Sequence, residues 1–509
     1  MHTKILSATT IGVTGHLVEV EVDLSFGMLQ FNIVGLPDTA IKESRQRITT
    51  ALKNCGIRLP ERKITVNLAP ADLKKEGTLF DLPIALGILQ AAELIRIPRN
   101  FLNETIILGE LSLDGSIKKV RGALPVAYDA RALGKNRLIV PDGNAYEAAL
   151  IDQLEVIGAE HLKELVDHFR GEKKLAPTPK PALQKRIASA FDFADVTGQH
   201  QAKRALQVAA AGHHNLVFLG SPGSGKTMLA KRLASIMPCM SFEEILETSK
   251  IYSISGKLQS QPLIQERPFR SPHHTISSAG LVGGGTFPQP GEVSLAHNGI
   301  LFLDEFVEFK RSTLEVLRQP LENKEVCISR AQQTVSFPAS FLMIAALNPC
   351  PCGYYGDKRK QCICSQQQIK KYLHKLSGPM LDRIDLQIAI QPIEYTTIKQ
   401  DKNQNTSSQE LYQSIAKAVT RQQARFEKNG MWNGFMGPTD ITTHCILSSD
   451  AEKLVQQAFE RLNLSMRGYH KLLKVARTIA DLDESKDIER HHVQEAVMYR
   501  SLEHSFEQL

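Results

Sequence analysis

The feature that most limits the possible folds is a glycine-rich loop between an apolar strand and a helix-prone run. We predict the strand at Asn215–Leu219 and the helix at Met228–Ile236, and the loop between them matches G-x-x-x-x-G-K-[ST]. A strand, this loop and a helix in that order predict a phosphate-binding P-loop, in which backbone N–H groups face phosphate oxygens. The fold that follows is an α/β core with a helix-covered parallel sheet. The loop residues are Gly220, Ser221, Pro222, Gly223, Ser224, Gly225, Lys226 and Thr227.

Two loop residues and two acids further along carry the expected chemistry. Lys226 is expected to reach the outer phosphates of ATP, and Thr227 to ligate Mg²⁺. The apolar strand Ile300–Leu303 ends in Asp304 and Glu305. We expect Asp304 to hold Mg²⁺ through its water shell and Glu305 to polarise the attacking water. The sequence therefore predicts an ATP hydrolase with ATP and Mg²⁺ as cofactors.

A third polar residue follows another buried strand, predicted at Phe341–Leu347. Asn348 comes directly after it. A neutral amide in this place can orient the lytic water beside the γ-phosphate. A turn residue before Pro349 is the alternative interpretation.

The rest of the chain divides at a basic segment that contains three prolines, residues 171–185. Its composition predicts a stiff, extended linker. Before it, residues 1–170 mix short alternating strands with helical runs, which predicts an α+β domain. After it we place the ATPase core at residues 186–400 and, from helical periodicity, a helical lid domain at residues 401–509.

Composition narrows the cellular setting and the class of partner. The longest apolar runs fall short of the roughly 20 residues of a membrane span, and no signal-peptide core is evident, so we expect a cytoplasmic protein. The net charge of +7 and the pI of about 8.8 fit a polyanionic partner. A mildly basic balance is also common in proteins that never bind nucleic acid.

Four of the eight cysteines form a cluster within fifteen residues. In a reducing compartment such a cluster indicates Zn²⁺ rather than disulfides, although its C-x-C spacing is tighter than the usual C-x-x-C. Between residues 357 and 375 there are six lysines and arginines and one acid, so this loop is a hypothetical DNA contact. The cysteines are Cys350, Cys352, Cys362 and Cys364, and the candidate contacts within the loop are Lys358, Arg359 and Lys360.

Four further segments carry a family resemblance: 283–292, 295–305, 377–385 and 465–470. With the P-loop they make the chain resemble, over essentially its whole length, the AAA+ ATPases of the magnesium-chelatase-like branch, and in particular the bacterial ComM/YifB family. This resemblance implies an AAA+ core with a C-terminal helical lid.

The resemblance also implies roles for three site residues. Asn348 takes the place of the sensor. Arg383 takes that of the arginine finger, which acts on the ATP site of a neighbouring subunit and so implies a homo-hexameric ring. Arg467 takes that of the second sensor arginine, and whether it acts in cis or in trans stays open.

The family places a helix-2-type insertion at about residues 251–286 and a hairpin at residues 325–337. In related helicases such hairpins contact nucleic acid. The arginines in these segments, Arg267, Arg270 and Arg330, are therefore candidates for DNA phosphate contacts, and solvated loop charges are the alternative interpretation.

The N-terminal domain resembles the proteolytic domain of Lon-type proteases in the segments Lys75–Asp81 and Gly109–Gly115. Matched by motif, the nucleophile and base positions hold Leu79 and Leu124, and neither side chain can perform that chemistry. We therefore predict a catalytically degenerate Lon-protease-like domain with a role in assembly, DNA handling or partner docking.

The resemblance implies a DNA motor: a branch-migration helicase that supports homologous recombination of incoming DNA during natural transformation, with protein partners in recombination. Two alternatives stay open. One is a magnesium-chelatase-like motor subunit. The other is an ATP-driven protein remodeller or adaptor.

Overall fold

The computed structural model describes residues 2–28, 30–59, 61–75, 77–182, 191–258, 263–285, 288–330, 333–357, 359–392, 406–427 and 430–500. The chain forms two compact units. The first comprises Met1–Gln184, Phe242–Gln265 and Ser329–Phe337, and the second comprises Lys185–Ser241, Glu266–Ile328 and Pro338–Leu509. The boundaries predicted at residues 185–186 and 400–401, and the end of the insertion at residue 286, lie outside the described residues.

The first unit is built on a mixed seven-stranded sheet with the order β3-β4-β2-β1-β5-β8-β9. Strand β1 pairs antiparallel with β2 and parallel with β5. The strands, together with the small β6-β7 pair, are β1 His2–Ile11, β2 Thr14–Ser25, β3 Gln30–Val34, β4 Lys63–Ala69, β5 Thr105–Ile107, β6 Glu110–Leu111, β7 Ile117–Lys118, β8 Arg137–Pro141 and β9 Glu155–Ala159. The helices before residue 184 are Thr39–Asn54, Asp81–Ala91, Arg99–Glu104, Ala123–Ala132, Asp142–Ala148 and Leu162–Arg170.

Strand β2 shows why this sequence forms a half-buried sheet. Val18, Val20 and Val22 are fully buried, and the acids between them are partly exposed. Side chains alternate between the two faces of a strand, so this pattern places one face on the core.

A helix from the middle of the chain, Phe242–Ile254, packs within the first unit against the helix Ala123–Ala132. The backbone N–H of Gly122 donates to the Ser253 carbonyl at 3.2 Å. The Lys250 ammonium lies 3.1 Å from the centroid of the Tyr128 ring. The sequence interpretation had assigned this helix to the ATPase block, because contacts between residues more than a hundred positions apart leave no local pattern.

The second unit contains a parallel five-stranded sheet with the order β11-β14-β17-β10-β18. This confirms the parallel α/β core. The remaining strands among the described residues, including the β12-β13 and β15-β16 pairs, are β10 Leu216–Gly220, β11 Phe269–Arg270, β12 Gly283–Gly284, β13 Gln289–Pro290, β14 Ile300–Leu303, β15 Glu325–Arg330, β16 Gln333–Pro338, β17 Leu342–Leu347 and β18 Leu386–Ile390.

Helices cover this sheet and make up the C-terminal part of the chain, as predicted. Those from residue 200 to 381 are His200–Gly212, Lys226–Ile236, Ser278–Val282, Glu292–Leu295, Arg311–Glu315, Arg318–Asn323, Gln366–Leu373 and Gly378–Leu381. The C-terminal helices are Ser408–Phe426, Pro438–His444, Ser449–Arg461, Met466–Leu482 and Arg490–Met498. Among the described helices, none combines the length and apolar character needed to cross a membrane.

Candidate nucleotide-binding site

The glycine-rich loop joins strand β10 to the helix Lys226–Ile236. Strand β10 lies inside the sheet, between β17 and β18, and the loop follows its last residue, so the loop emerges at the carboxyl edge of the parallel sheet. Gly223 and Gly225 have φ values of +77° and +95°, a left-handed region that residues with a Cβ rarely adopt. These two positions curl the backbone around the helix N-terminus, where N–H groups favour a phosphate.

The side chain of Lys226 is buried in the loop, and its ammonium is held by three acceptors. It donates to the carbonyls of Gly220 at 2.6 Å and Ser221 at 3.0 Å, and to Asn348 Oδ1 at 3.2 Å. Burial lowers the pKa of Lys226, and the Asp304 carboxylate partly opposes this shift. A phosphate anion is a stronger acceptor than these neutral oxygens, so the site fits ATP. The contact also places Asn348 beside the P-loop.

Thr227 and Asp304 offer two oxygen donors side by side. Thr227 Oγ1 lies 2.8 Å from Asp304 Oδ2, and Asp304 directly follows the fully buried strand β14. Hydroxyl and carboxylate oxygens at this spacing fit Mg²⁺, which prefers hard oxygen ligands and bridges to phosphates. When bound, Mg²⁺ neutralises charge on the phosphates.

Glu305 is oriented by a histidine that the sequence interpretation missed. Glu305 has a φ of +51°, and its carboxylate lies 3.1 Å from Nδ1 of His274. Strand β11 ends at Arg270 and runs parallel to β14, so both strands present their following residues at the same edge of the sheet. The sequence did offer one sign of this role, since His274 is a polar residue that follows shortly after strand β11. His274 is placed to hold the carboxylate that is predicted to polarise the attacking water.

The two predicted catalytic arginines meet elsewhere in the second unit, around Glu322. Arg383 Nη2 lies 2.5 Å from Glu322 Oε1, and Arg467 Nη2 lies 3.8 Å from the same oxygen. Both arginines line a cavity of about 360 Å³ with Lys471 and Lys474. The structure therefore groups the two arginines with each other.

The four clustered cysteines converge as a metal site requires. The sulfur of Cys350 lies 3.3 Å from that of Cys352 and 3.7 Å from that of Cys362, and the latter two are 3.6 Å apart. With Cys364 included, all four sulfurs lie within 4.8 Å of one another. Tetrahedral zinc with bonds of about 2.3 Å needs sulfurs about 3.8 Å apart. The donor set fits Zn²⁺.

The candidate DNA-contacting residues differ in what holds them. The Arg267 guanidinium is buried and donates to the carbonyls of Pro238 at 2.6 Å and Asn298 at 2.7 Å, which favours a structural role. Arg270 forms a two-pronged ion pair with Glu292 at 2.6 and 2.8 Å.

Two candidates on the cysteine-rich loop are exposed to solvent. Arg359 contacts Asp357, and the ammonium of Lys360 lies 4.2 Å from the centroid of the Tyr354 ring. Lys358 and the side chain of Arg330 lie outside the described part of the chain.

Family models match three stretches of the chain. One described as magnesium chelatase, subunit ChlI, covers residues 192–398 and contains the P-loop, both acids and the cysteine cluster. One described as subunit ChlI of Mg-chelatase covers residues 20–144. One described as magnesium chelatase, subunit ChlI C-terminal, covers residues 405–500.

Individual relatives extend the likeness to nearly the whole chain. The competence protein ComM of Haemophilus influenzae is 40% identical over 98% of this chain and 97% of its own length. The protein YifB of Escherichia coli is 41% identical over 99% of this chain and 97% of its own length. Lon protease 2 of Bacillus subtilis is 26% identical over 31% of this chain and 30% of its own length.

Proposed function

The chain belongs to the ComM/YifB family, a magnesium-chelatase-like branch of the AAA+ ATPases, and on that premise we propose that it is a ring-forming DNA motor. In this proposal, ATP hydrolysis drives branch migration of DNA junctions. The process served is recombination of incoming DNA during natural transformation. The Haemophilus relative is named a competence protein, and its 40% identity over 98% of this chain supports carrying the association with competence to this chain.

The observation that carries the motor proposal is the assembled site around Lys226. Its ammonium, the Thr227–Asp304 pair and the His274–Glu305 pair all lie at the carboxyl edge of one parallel sheet. Binding, metal ligation and water activation then have separate groups in one subunit, which supports hydrolysis as the energy source.

The ring is proposed from the two arginines. Arg383 and Arg467 share Glu322 as a partner and line the same cavity. We propose that a homo-hexamer brings Arg383 to the nucleotide of a neighbouring subunit, where a guanidinium stabilises transition-state charge.

The nucleic-acid contacts are proposed on the cysteine-rich loop, with Zn²⁺ held by its four sulfurs. Arg359 and Lys360 are exposed there and carry positive charge. Arginine and lysine side chains of this kind contact phosphates without reading sequence. Arg270 needs to exchange its pairing with Glu292 before it can join them.

For residues 1–170 we propose a Lon-protease-like domain without peptidase activity. Leu124 is fully buried and Leu79 packs against the core of the first unit. Of the lysines nearby in sequence, Lys119 donates to the Leu258 carbonyl at 2.5 Å and Lys118 is exposed. Two apolar side chains at the nucleophile and base positions support a binding or assembly role.

The proposal is tested with purified protein, ATP and a labelled four-way DNA junction, with Glu305→Gln as the hydrolysis-deficient control. We expect the wild type to convert the junction to duplex products and the variant to bind ATP without conversion. An ATPase that leaves the junction intact under conditions in which it hydrolyses ATP would contradict the DNA-motor proposal.

A second measurement separates the alternative functions. Stimulation of ATP hydrolysis by DNA supports the motor, and stimulation only by a partner protein supports a remodeller or a chelatase-like motor subunit. The chelatase alternative is supported by the matches to family models described as magnesium chelatase.

A further inference from the structure

The segment Cys350–Cys364, here called the cysteine loop, packs against the P-loop at a position occupied by glycine. Gly353 has a φ of +84°, and a Cβ added to it would lie 2.6 Å from Cδ of Pro222 and 3.9 Å from Cγ of Asn348. The backbone of the cysteine loop therefore lies directly against Pro222 of the P-loop and close to the predicted sensor residue Asn348.

One polar side chain of the cysteine loop lies near the P-loop. Asp357 accepts a hydrogen bond from the backbone N–H of Arg359 at 2.8 Å, and its carboxylate lies near the Ser221 hydroxyl of the P-loop. The hydrogen bond from the Arg359 N–H is the main cause that holds the pKa of Asp357 below its usual range. Two residues before the loop begins, Asn348 accepts from the Lys226 ammonium at 3.2 Å. The cysteine loop thus packs against the P-loop at Gly353, and Asn348, which precedes the loop, contacts the P-loop lysine.

The described part of the cysteine loop has no helix or strand between residues 350 and 364. The backbone–backbone hydrogen bonds within it are those of turns, such as Gly353 N–H to the Cys350 carbonyl at 2.9 Å. A short loop of this kind loses its single conformation unless a cross-link holds it. The converging sulfurs of the four cysteines provide that cross-link when they bind a metal ion.

We propose that a metal ion held by Cys350, Cys352, Cys362 and Cys364 fixes the conformation of the cysteine loop where it packs against the P-loop. Metal occupancy and nucleotide affinity are then coupled. The coupling rests on the proposed zinc site and is independent of the proposed action on DNA. Coupling of this kind is reciprocal: if the metal strengthens nucleotide binding, bound nucleotide slows metal loss by stabilising the same loop conformation.

The coupling is tested first with a matched pair of glycine variants. Gly353→Ala places a methyl group against Pro222, whereas Gly356→Ala introduces the same left-handed strain at φ +76° with nothing within 4 Å. We expect Gly353→Ala to weaken binding of a fluorescent ADP analogue by about tenfold, within the usual range of coupling between sites. Gly356→Ala should stay within about twofold of the wild type.

Both glycine variants should retain wild-type zinc content, measured by atomic emission on the purified proteins. Equal losses of ADP affinity in the two variants would mean that backbone strain, not contact with Pro222, causes the effect, and would overturn the proposal. Wild-type affinity in Gly353→Ala would overturn it as well.

The second test removes the metal from the full chain. A zinc-selective chelator, or the double change Cys362→Ser and Cys364→Ser, should weaken ADP binding by a similar factor, with Cys327→Ser as a control outside the cluster. Circular dichroism of each sample checks that the fold is retained.

Added nucleotide should slow zinc transfer to a coloured chelator by several-fold, which is the reciprocal effect. Zinc-free protein with unchanged ADP affinity would overturn the coupling. Absence of zinc from the protein as purified would overturn the metal site itself. Because no DNA is present in either test, failure of the DNA-motor proposal leaves these readouts unaffected.

Discussion

Two buried lysines, one in each unit, differ in the groups around them. Lys226 in the second unit and Lys75 in the first are both buried, and burial lowers the pKa of each. The Lys226 ammonium meets two P-loop carbonyls and Asn348, with Asp304 nearby. The Lys75 ammonium donates to the Pro70 carbonyl.

The difference shows that burial of a lysine does not by itself create a catalytic site. Around Lys226, the P-loop backbone, the Thr227–Asp304 pair and the Glu305 carboxylate are the groups that the proposed phosphate chemistry needs. In the first unit, the positions that the proposed Lon-protease likeness assigns to the nucleophile and base hold Leu79 and Leu124. The same lowering of a lysine pKa by burial therefore occurs both with and without the groups that a phosphate site needs.

The largest effect is expected from the loss of Arg383, a change that tests whether ATP hydrolysis at the Lys226 site also needs a neighbouring subunit. Arg383→Ala should lower the rate of ATP hydrolysis by roughly 10³-fold or more, the usual contribution of an arginine finger supplied in trans. Nucleotide affinity should change little, because the lost group acts on transition-state charge. Steady-state hydrolysis and ADP binding measure the two quantities.

Mixing subunits provides the control for that prediction. Arg383→Ala protein keeps its own P-loop, and Lys226→Ala protein keeps its arginine, so mixed rings contain some complete sites. Recovery of activity on mixing supports action in trans. Mixtures with no more activity than the sum of the two variants would contradict it.

The next largest effect is expected when the two lysines are compared directly by the rate of ATP hydrolysis of their variants. Lys226→Ala should lower ATP hydrolysis by roughly 10²–10³-fold, since it removes a charged donor from the phosphate site. Lys75→Met should leave hydrolysis unchanged, because Lys75 lies in the other unit. A Lys75→Met variant as inactive as Lys226→Ala, yet folded by circular dichroism, would break the comparison.

A smaller effect is expected on stability in the first unit. Replacing a buried amine with an apolar side chain of similar length is often neutral or stabilising, so Lys75→Met should raise or preserve the thermal midpoint. Lys75→Asp, which buries a charge of opposite sign, is the destabilising control. A fall in the midpoint for Lys75→Met similar to that for Lys75→Asp would point to a specific role for the ammonium.

The smallest expected effect is a pH dependence of stability caused by a third lysine, Lys324, which lines the same cavity as Arg383 and Arg467. Burial, followed by the charge of Lys474, lowers the pKa of Lys324 to about 7. The folded state therefore binds this proton less tightly than the unfolded state, whose pKa is the ordinary one of about 10.4. Stability should rise as pH increases above 7, because the unfolded chain then holds the extra proton.

Lysine-selective NMR of the folded protein checks this value. A resonance that titrates near pH 7 should disappear in Lys324→Arg and should titrate at higher pH in Lys474→Met, because the neighbouring positive charge is gone. An Nζ resonance of Lys324 that titrates only above pH 10 would contradict the assignment.

Sequence patterns predicted much of the second unit because its signals are local. The strand before Gly220, the helix after Thr227 and the apolar strand before Asp304 each occupy a few consecutive residues. The role of His274 was missed because it depends on the parallel pairing of β11 with β14. Sequence spacing between His274 and Glu305 carries no sign of that pairing.

By itself, the sequence determined the P-loop ATPase core, the parallel sheet and the helical C-terminus, because glycine positions, hydrophobic periodicity and charge after a strand act over short distances. Only the tertiary structure decided that Phe242–Ile254 packs in the first unit and that Gly353 fills the space beside Pro222. It also decided that Glu322 lies between Arg383 and Arg467. These contacts join residues far apart in the chain, and chain folding brings them together through packing that no local residue pattern encodes.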